Sequence, residues 1–378
     1  MNAPMYVKVM DPVRQEVYTA QLHLKSGQYF LEPADEDHPT EVILSPGWMD
    51  LHVHVYDGVT PLSISADLIG LNTGVHLVAD AGSAGEATLA GFRRYVVPTY
   101  RTEVRAWLNI SSIGLVHLRE ASDINLFDVE KTINAVLDNQ PFICGVKVRS
   151  ERNIVGSLGL QPLQLARTVA RAVGKPLMVH IGEPPPNVED ILELLDPGDV
   201  VTHCFHGKVG NPWTADGEPI PALMKALQRG VKIDVGHGAG SFSFEIAKKA
   251  ISSGSTPFSI STDAHAMNIN GPVYDLPTTM TKMLTCGMNL MDVISAVTSA
   301  PAEVLGLQNW CNLSGPLQRA TLFRISEQPP VGRAYMDTKG REITPNEVIV
   351  PEAVISDGAL IRIDRVTTTL THNPTDLG

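Results

Sequence analysis

Residues 46–54 read Pro-Gly-Trp-Met-Asp-Leu-His-Val-His, and Asp50, His52 and His54 alternate there with Leu51 and Val53. In a strand, side chains at i and i+2 share a face. One short strand therefore aims two imidazoles at a single point, with the Asp50 carboxylate further back on that face. Two readings fit this stretch alone: inward histidines that find hydrogen bonds, or a pair of imidazole metal ligands. Other polar groups close apolar runs elsewhere. Lys147 lies near the end of Ile143-Cys144-Gly145-Val146-Lys147-Val148-Arg149. His180 ends Pro176-Leu177-Met178-Val179-His180, His203 ends Val200-Val201-Thr202-His203, and Asp263 follows Phe258-Ser259-Ile260-Ser261-Thr262. Ionisable groups at the ends of buried strands are costly unless paired or bound to metal. Lys147 is the most informative, because burial between Val146 and Val148 disfavours an ammonium. A salt bridge with an inward acid would relieve it. So would a lowered pKa at which the amine reacts with carbon dioxide, giving an anionic carbamate that can bridge two cations.

These residues need a scaffold that gathers strand ends. Strand-like runs at 50–54, 74–79, 104–110, 143–149, 176–181, 199–203, 231–235 and 257–261 alternate with helical stretches at 86–97, 126–138, 161–173, 187–195, 219–229 and 243–253. Such alternation over ~250 residues predicts an α/β fold, a (β/α)8 TIM-type barrel, with further helices in 276–305. Chemistry in such a barrel sits at the C-terminal ends of the strands. Outside the barrel, 6–10, 17–24, 42–44, 320–325, 348–350 and 361–363 read as strands, 33–39 as an acidic turn containing proline, and 332–343 as a hairpin around Thr338-Lys339-Gly340. The expected organisation is a barrel over 46–305 and a second small β domain built from both chain ends, 1–45 and 306–378. Residues 367–378 are expected to fray.

The 378 residues carry a formal net charge of −12, with 43% hydrophobic and 19% charged residues, as in a soluble globular chain. No apolar run approaches the ~20 residues of a membrane span. No basic cluster stands out, so neither membrane nor nucleic acid is expected as a partner. The N-terminus lacks a basic region followed by an apolar core, so no signal peptide is expected and the cytoplasm is favoured. Cys144, Cys204, Cys286 and Cys311 form no C-x-x-C pair and read as free thiols of a reducing compartment.

In order and context, these residues resemble the two-metal form of the amidohydrolase superfamily. The resemblance implies that His52, His54 and Asp263 hold one divalent ion and His180 and His203 a second, with Lys147 as N6-carboxylysine bridging them. Zinc suits imidazole nitrogen with carboxylate oxygen, though manganese, iron or cobalt also fit. It further implies a hydroxide shared by the ions, attack on an acyl carbon, and Asp263 as the catalytic proton carrier. The plain alternative for Asp263 is a helix N-cap. Residues 80–86, 145–149, 179–185 and 202–208 look like a dihydroorotase-like or deacetylase-like branch. The implied reaction is deacetylation of a small acidic acylated substrate, an acetylated α-hydroxy or amino acid, by a homo-oligomer.

Around that centre, Arg149 shares the face of Lys147 and either grips a substrate carboxylate or closes a salt bridge at the barrel rim. His206 and Tyr274 are further candidates for substrate contact, against a pocket-wall histidine and a surface tyrosine. Asp50 is expected to support the ligands, His237 and His265 to line the pocket, and the glycine-rich 236–240 to pack its backbone closely there. Loops 205–216 and 268–277 are long enough to act as lids. Three rivals remain. A dihydroorotase-like or hydantoinase-like cyclic amide hydrolase usually carries Arg where this chain has Tyr56. A deaminase would use the H-x-x-E spacing of His180 and Glu183 but lacks the bridging Lys. A catalytically inactive barrel used as an assembly module typically loses several ligands. One departure from the family pattern is Ala320-Thr321-Leu322, where Ala-Asp-Leu is common.

Overall fold

The computed structural model describes residues 5–34, 38–330 and 332–363. The end expected to fray, 367–378, and residues 35–37 of the expected turn lie outside the described residues. Seven parallel strands follow one another in chain order: Trp48–Val53, Val75–Gly85, Glu103–Asn109, Ile143–Ser150, Leu177–Ile181, Val200–Thr202 and Lys232–Ile233. The eighth strand, expected at 257–261, is reduced to two parallel bridges, Asp234 to Ser259 and Val53 to Ala264. Backbone bonds from Val235 N to Ser259 O (3.1 Å), Asp263 N to His52 O (2.7 Å) and His54 N to Ala264 O (3.1 Å) carry the ring across that gap. Just past it, Asp263 has a φ of +49°, in left-handed backbone.

Helices cover the outside. Gln161–Val173 illustrates why they form where the apolar spacing indicates. Pro162 sits in the first turn, where its missing N–H costs nothing, and Leu163, Ala166, Val169 and Ala170 make one buried stripe. Gly174, at φ +63°, ends it. The stretch 86–97 differs from one regular helix: a short α turn at Leu89–Gly91 widens into a π turn at Phe92–Val96 and tightens at Val97–Thr99, where Pro98 stops it.

A second sheet joins the two chain ends. Its order is Ala359–Arg362, Val348–Ser356, Arg319–Ser326, Ile43–Pro46, Met5–Asp11, Glu16–Lys25 and Gln28–Pro33. Neighbours are antiparallel except Met5–Asp11 beside Ile43–Pro46. Thr321, at the departure from Ala-Asp-Leu, is fully buried between the sheets; its hydroxyl donates to Gly74 O (2.9 Å) and accepts from Trp48 N (3.4 Å). A hairpin of Tyr335–Met336 and Glu342–Ile343 leaves this sheet and reaches the barrel mouth. There Thr338 Oγ1 donates to Phe242 O (2.7 Å), and Asp337 Oδ2 accepts from Phe244 N (3.2 Å). All four cysteines are free. Among the described residues, no helix is long and apolar enough to cross a membrane.

Candidate functional site

The C-terminal ends of the strands bring together His52, His54, Lys147, His180, His203 and Asp263. Asp263 Oδ1 lies 3.4 Å from His52 Nε2 and 3.0 Å from His54 Nε2. Lys147 Nζ is 3.4 Å from His52 Nε2. The His203 ring centroid is 5.1 Å from that of His52 and 4.3 Å from that of His180. His52, His203 and Asp263 each offer a ligand atom within 4.8 Å of the other two. Both His203 (φ +70°) and Asp263 stand in left-handed backbone, a conformation held against its own cost at functional sites.

Each imidazole is oriented by its far nitrogen. His52 Nδ1 meets Thr202 Oγ1 at 3.0 Å, and the Thr202 hydroxyl donates to Asp234 Oδ2 at 2.7 Å, so His52 Nδ1 carries the proton and Nε2 the lone pair. His203 Nδ1 donates to Gly236 O at 2.6 Å. His54 Nδ1 contacts Ser83 Oγ at 3.0 Å. His180 Nε2 donates to Glu151 Oε2 at 3.0 Å, which leaves Nδ1 its lone pair. Second partners of this kind fix the tautomers of metal-ligating histidines.

The electrostatics agree with a cation site. Burial pushes the imidazoles of His52 and His203 well below their usual range. Burial alone would raise Asp263, but the imidazoles of His52, His54 and His265 hold it well below the carboxylate range. Burial lowers Lys147 to about 7. Among the described residues no carboxylate lies within ion-pair distance of its amine, so the salt-bridge reading of Lys147 is not the one present. Gly82, at φ +87°, makes room for its stem: an added Cβ would lie 2.8 Å from Lys147 Cγ.

These residues fit a metal. His203 Nε2 is fully buried with no hydrogen-bond partner, and the donor set around it is imidazole nitrogen plus carboxylate oxygen.

The remaining candidates divide. Of the two readings of Arg149, the substrate grip and the rim salt bridge, the geometry shows an ion pair with Glu120. Its Nε and Nη2 donate to Oε1 and Oε2 of fully buried Glu120 at 2.7 and 2.5 Å, and Nη2 also donates to Leu118 O at 2.8 Å. That bidentate edge is therefore engaged at the barrel rim. His206 is buried beside the site; its Nδ1 accepts from Lys208 N (3.1 Å) and its Nε2 has no partner. Asp50 supports from behind, accepting from His52 N, Thr262 N and Thr262 Oγ1. The His265 ring lies 6.3 Å from that of His54, tilted by 53°, and Tyr274 lines a separate cleft with Ala239 and Met336. In the glycine stretch, a Cβ on Gly238 would lie 2.5 Å from Asp263 Oδ2. Trp213 folds loop 205–216 onto the barrel by stacking on Phe205 and donating to Cys204 O.

Two acids escape the sequence reading. Glu151 ties His180 to Lys208 Nζ (3.0 Å) and Glu183 N (3.2 Å); burial would raise it, yet the His180 and Lys208 bonds hold it well below the carboxylate range. Glu151, and not Glu183, is therefore the acid on His180. The alternation Lys147, Arg149, Glu151 is the signal that could have found it. Asp234 accepts from Thr202, Ser259 and Ser261 hydroxyls at 2.7, 2.6 and 2.6 Å. Tyr56, at the dihydroorotase arginine position, packs on Phe92 and donates to Thr88 O (2.9 Å).

No protein-family model matches the chain. It is 44% identical over 267 residues to a deacetylase of Agrobacterium fabrum, covering 70% of this chain and 66%, just under two thirds, of that protein. It is 44% identical over 325 residues to a deacetylase of Brucella anthropi, covering 85% of this chain and 80% of the relative. Among solved structures it resembles a dihydroorotase (35% identity, TM-score 0.82, covering 96% of this chain and 98% of the other). It also resembles an adenine deaminase (30% identity, TM-score 0.85, 94% and 99%).

Proposed function

The chain belongs to the amidohydrolase superfamily and is a hydrolytic enzyme, and from that premise we propose that it removes the acyl group, an acetyl group in the first instance, from a small acylated α-hydroxy or amino acid. The observation that carries the reading is the unpartnered, fully buried His203 Nε2 facing His52 and Asp263. His52, His54 and Asp263 would hold one divalent cation and His180 and His203 a second. Lys147 would lie between them as its carbamate, formed when the neutral amine adds to carbon dioxide and releases a proton. Divalent cations there, zinc by the donor set, supply Lewis acidity toward a carbonyl and lower the pKa of water.

The chain's own residues do the rest. Asp263, held ionised, takes the proton of the attacking water on a carboxylate oxygen and passes it to the leaving oxygen or nitrogen. Thr202, Gly236, Ser83 and Glu151 keep the four imidazoles in one orientation. Tyr56 supports acyl-acid hydrolysis over dihydroorotase chemistry, because its hydroxyl is spent on Thr88. Metal-loaded enzyme grown with bicarbonate should be screened against O-acetyl α-hydroxy acids, N-acetyl amino acids, cyclic amides and adenine. Turnover confined to the first two groups is expected. Turnover confined to cyclic amides or adenine would replace this reading with one of its rivals.

A further inference from the structure

With Arg149 engaged by Glu120, an acidic substrate needs its cation from elsewhere at the barrel mouth. The turn after the sixth strand supplies one. His206 N donates to His203 O (3.2 Å), and the chain continues through Gly207 to Lys208. Lys208 Nζ lies 3.0 Å from Glu151 Oε1, and the other oxygen of that carboxylate is 3.0 Å from His180 Nε2, so one acid separates this ammonium from a candidate metal ligand. A second ammonium comes from the other end of the chain. Lys339, in the turn of the hairpin that leaves the second sheet, reaches over Gly207: a Cβ there would lie 2.6 Å from Lys339 Cε and 2.9 Å from its Nζ. The acids around it are engaged, Glu151 by His180 and Lys208, Asp337 by the backbone of Phe244, Lys339 and Arg341, and Glu245 by Lys249. Among the described residues no acid lies within ion-pair distance of the Lys339 amine. The third donor is buried. His206 Nδ1 accepts from Lys208 N (3.1 Å), so Nε2 carries the proton, and that N–H has no partner. A buried donor costs free energy until an acceptor meets it. Burial lowers this imidazole to about 3, and the charges of Lys208, His180, Glu151 and Lys339 act on it in turn, which places the three donors in one neighbourhood.

We propose that Lys339, Lys208 and the His206 Nε2–H form an anion site that takes the substrate's carboxylate, so that the loop after the sixth strand and the hairpin of the second sheet together recognise the acid half of the substrate. Two ammonium groups and one N–H suit the two oxygens of a carboxylate, and charge-assisted bonds are the strong ones. In a chain of net charge −12, cations at the mouth also draw an anionic substrate inward, an effect that salt weakens. This rests on the acyl-acid hydrolase reading, so one arm of the test needs turnover and the other does not. Lys339 is the position to change, because it is exposed and Lys208 also supports Glu151. The first arm follows acetate release from O-acetyl-lactate and from its methyl ester by metal-loaded wild type, Lys339→Met and Lys339→Arg. The second titrates lactate and lactamide into the same proteins by calorimetry. The acid-to-ester ratio of kcat/KM should fall about tenfold in K339M, through KM, the loss expected of one charge-assisted hydrogen bond, and K339R should restore most of it. Lactate affinity should fall alongside, and lactamide affinity should not. An unchanged ratio with turnover intact overturns the anion site and leaves the hydrolase. So does a fall carried by kcat with lactate affinity unchanged, which would make Lys339 a support for the hairpin. Lactate binding that depends on Lys339, without turnover of acid or ester, supports the site and removes the reaction. Lactate binding indifferent to Lys339, without turnover, overturns both.

Discussion

His52 is joined to Asp234 through one hydroxyl, that of Thr202, which accepts from the imidazole at 3.0 Å and donates to the carboxylate at 2.7 Å. This relay decides which His52 nitrogen faces the centre. Thr202→Val keeps the branched shape and removes the relay, while Asp234 retains Ser259 and Ser261. Metal affinity should fall roughly 10–100-fold, the usual loss when such an outer partner is removed. Competition with a chromogenic chelator measures it. Affinity within twofold of wild type would mean that Thr202 does not orient the ligand.

Glu151 holds His180 and Lys208 at once. Glu151→Gln preserves volume and removes the charge that fixes the His180 tautomer. Elemental analysis should show the ion assigned to His180 and His203 partly lost, with kcat reduced about 10–100-fold in parallel. Full metal content with undiminished turnover would show that the carboxylate serves only Lys208.

Away from the centre, His76 makes stability depend on pH. It is buried against Gly47, donates from Nε2 to Ala320 O (3.2 Å), and has an unpartnered Nδ1; burial lowers it to about 4. The unfolded chain binds a proton below ~6.5, whereas the native chain does not until about 4. Its contribution is therefore fully present above ~6.5 and is lost as pH falls toward about 4, a change on the order of 3 kcal/mol. Urea midpoints of wild type and His76→Gln across that window should diverge in slope, with the variant flatter. Parallel curves would assign the titration elsewhere.

Much of this was legible because it is local. His52 and His54 share a face by strand alternation, and Lys147, His180 and His203 each close an apolar run, so their convergence needs only the barrel. What was hidden depends on distant partners. Nothing near Arg149 signals Glu120, 29 residues earlier in irregular chain, whose carboxylate occupies the guanidinium. Asp234 reads as a lone acid in Ile233-Asp234-Val235, because its three hydroxyl partners are 25 to 32 positions away. The left-handed backbone of Asp263, just past the eighth strand position, is announced by no residue pattern. The hairpin at 335–343 is legible as a hairpin, but its docking over the barrel mouth is a tertiary fact.

The most direct measurement is the metal-to-chain ratio of protein purified without chelators, set against hydrolysis of an acetylated hydroxy acid, for wild type, Lys147→Met and His203→Asn. Two divalent ions per wild-type chain are expected, with both variants metal-depleted and inactive. Full hydrolysis by metal-free wild type, or unchanged metal and turnover in Lys147→Met, would contradict a centre built on these six side chains.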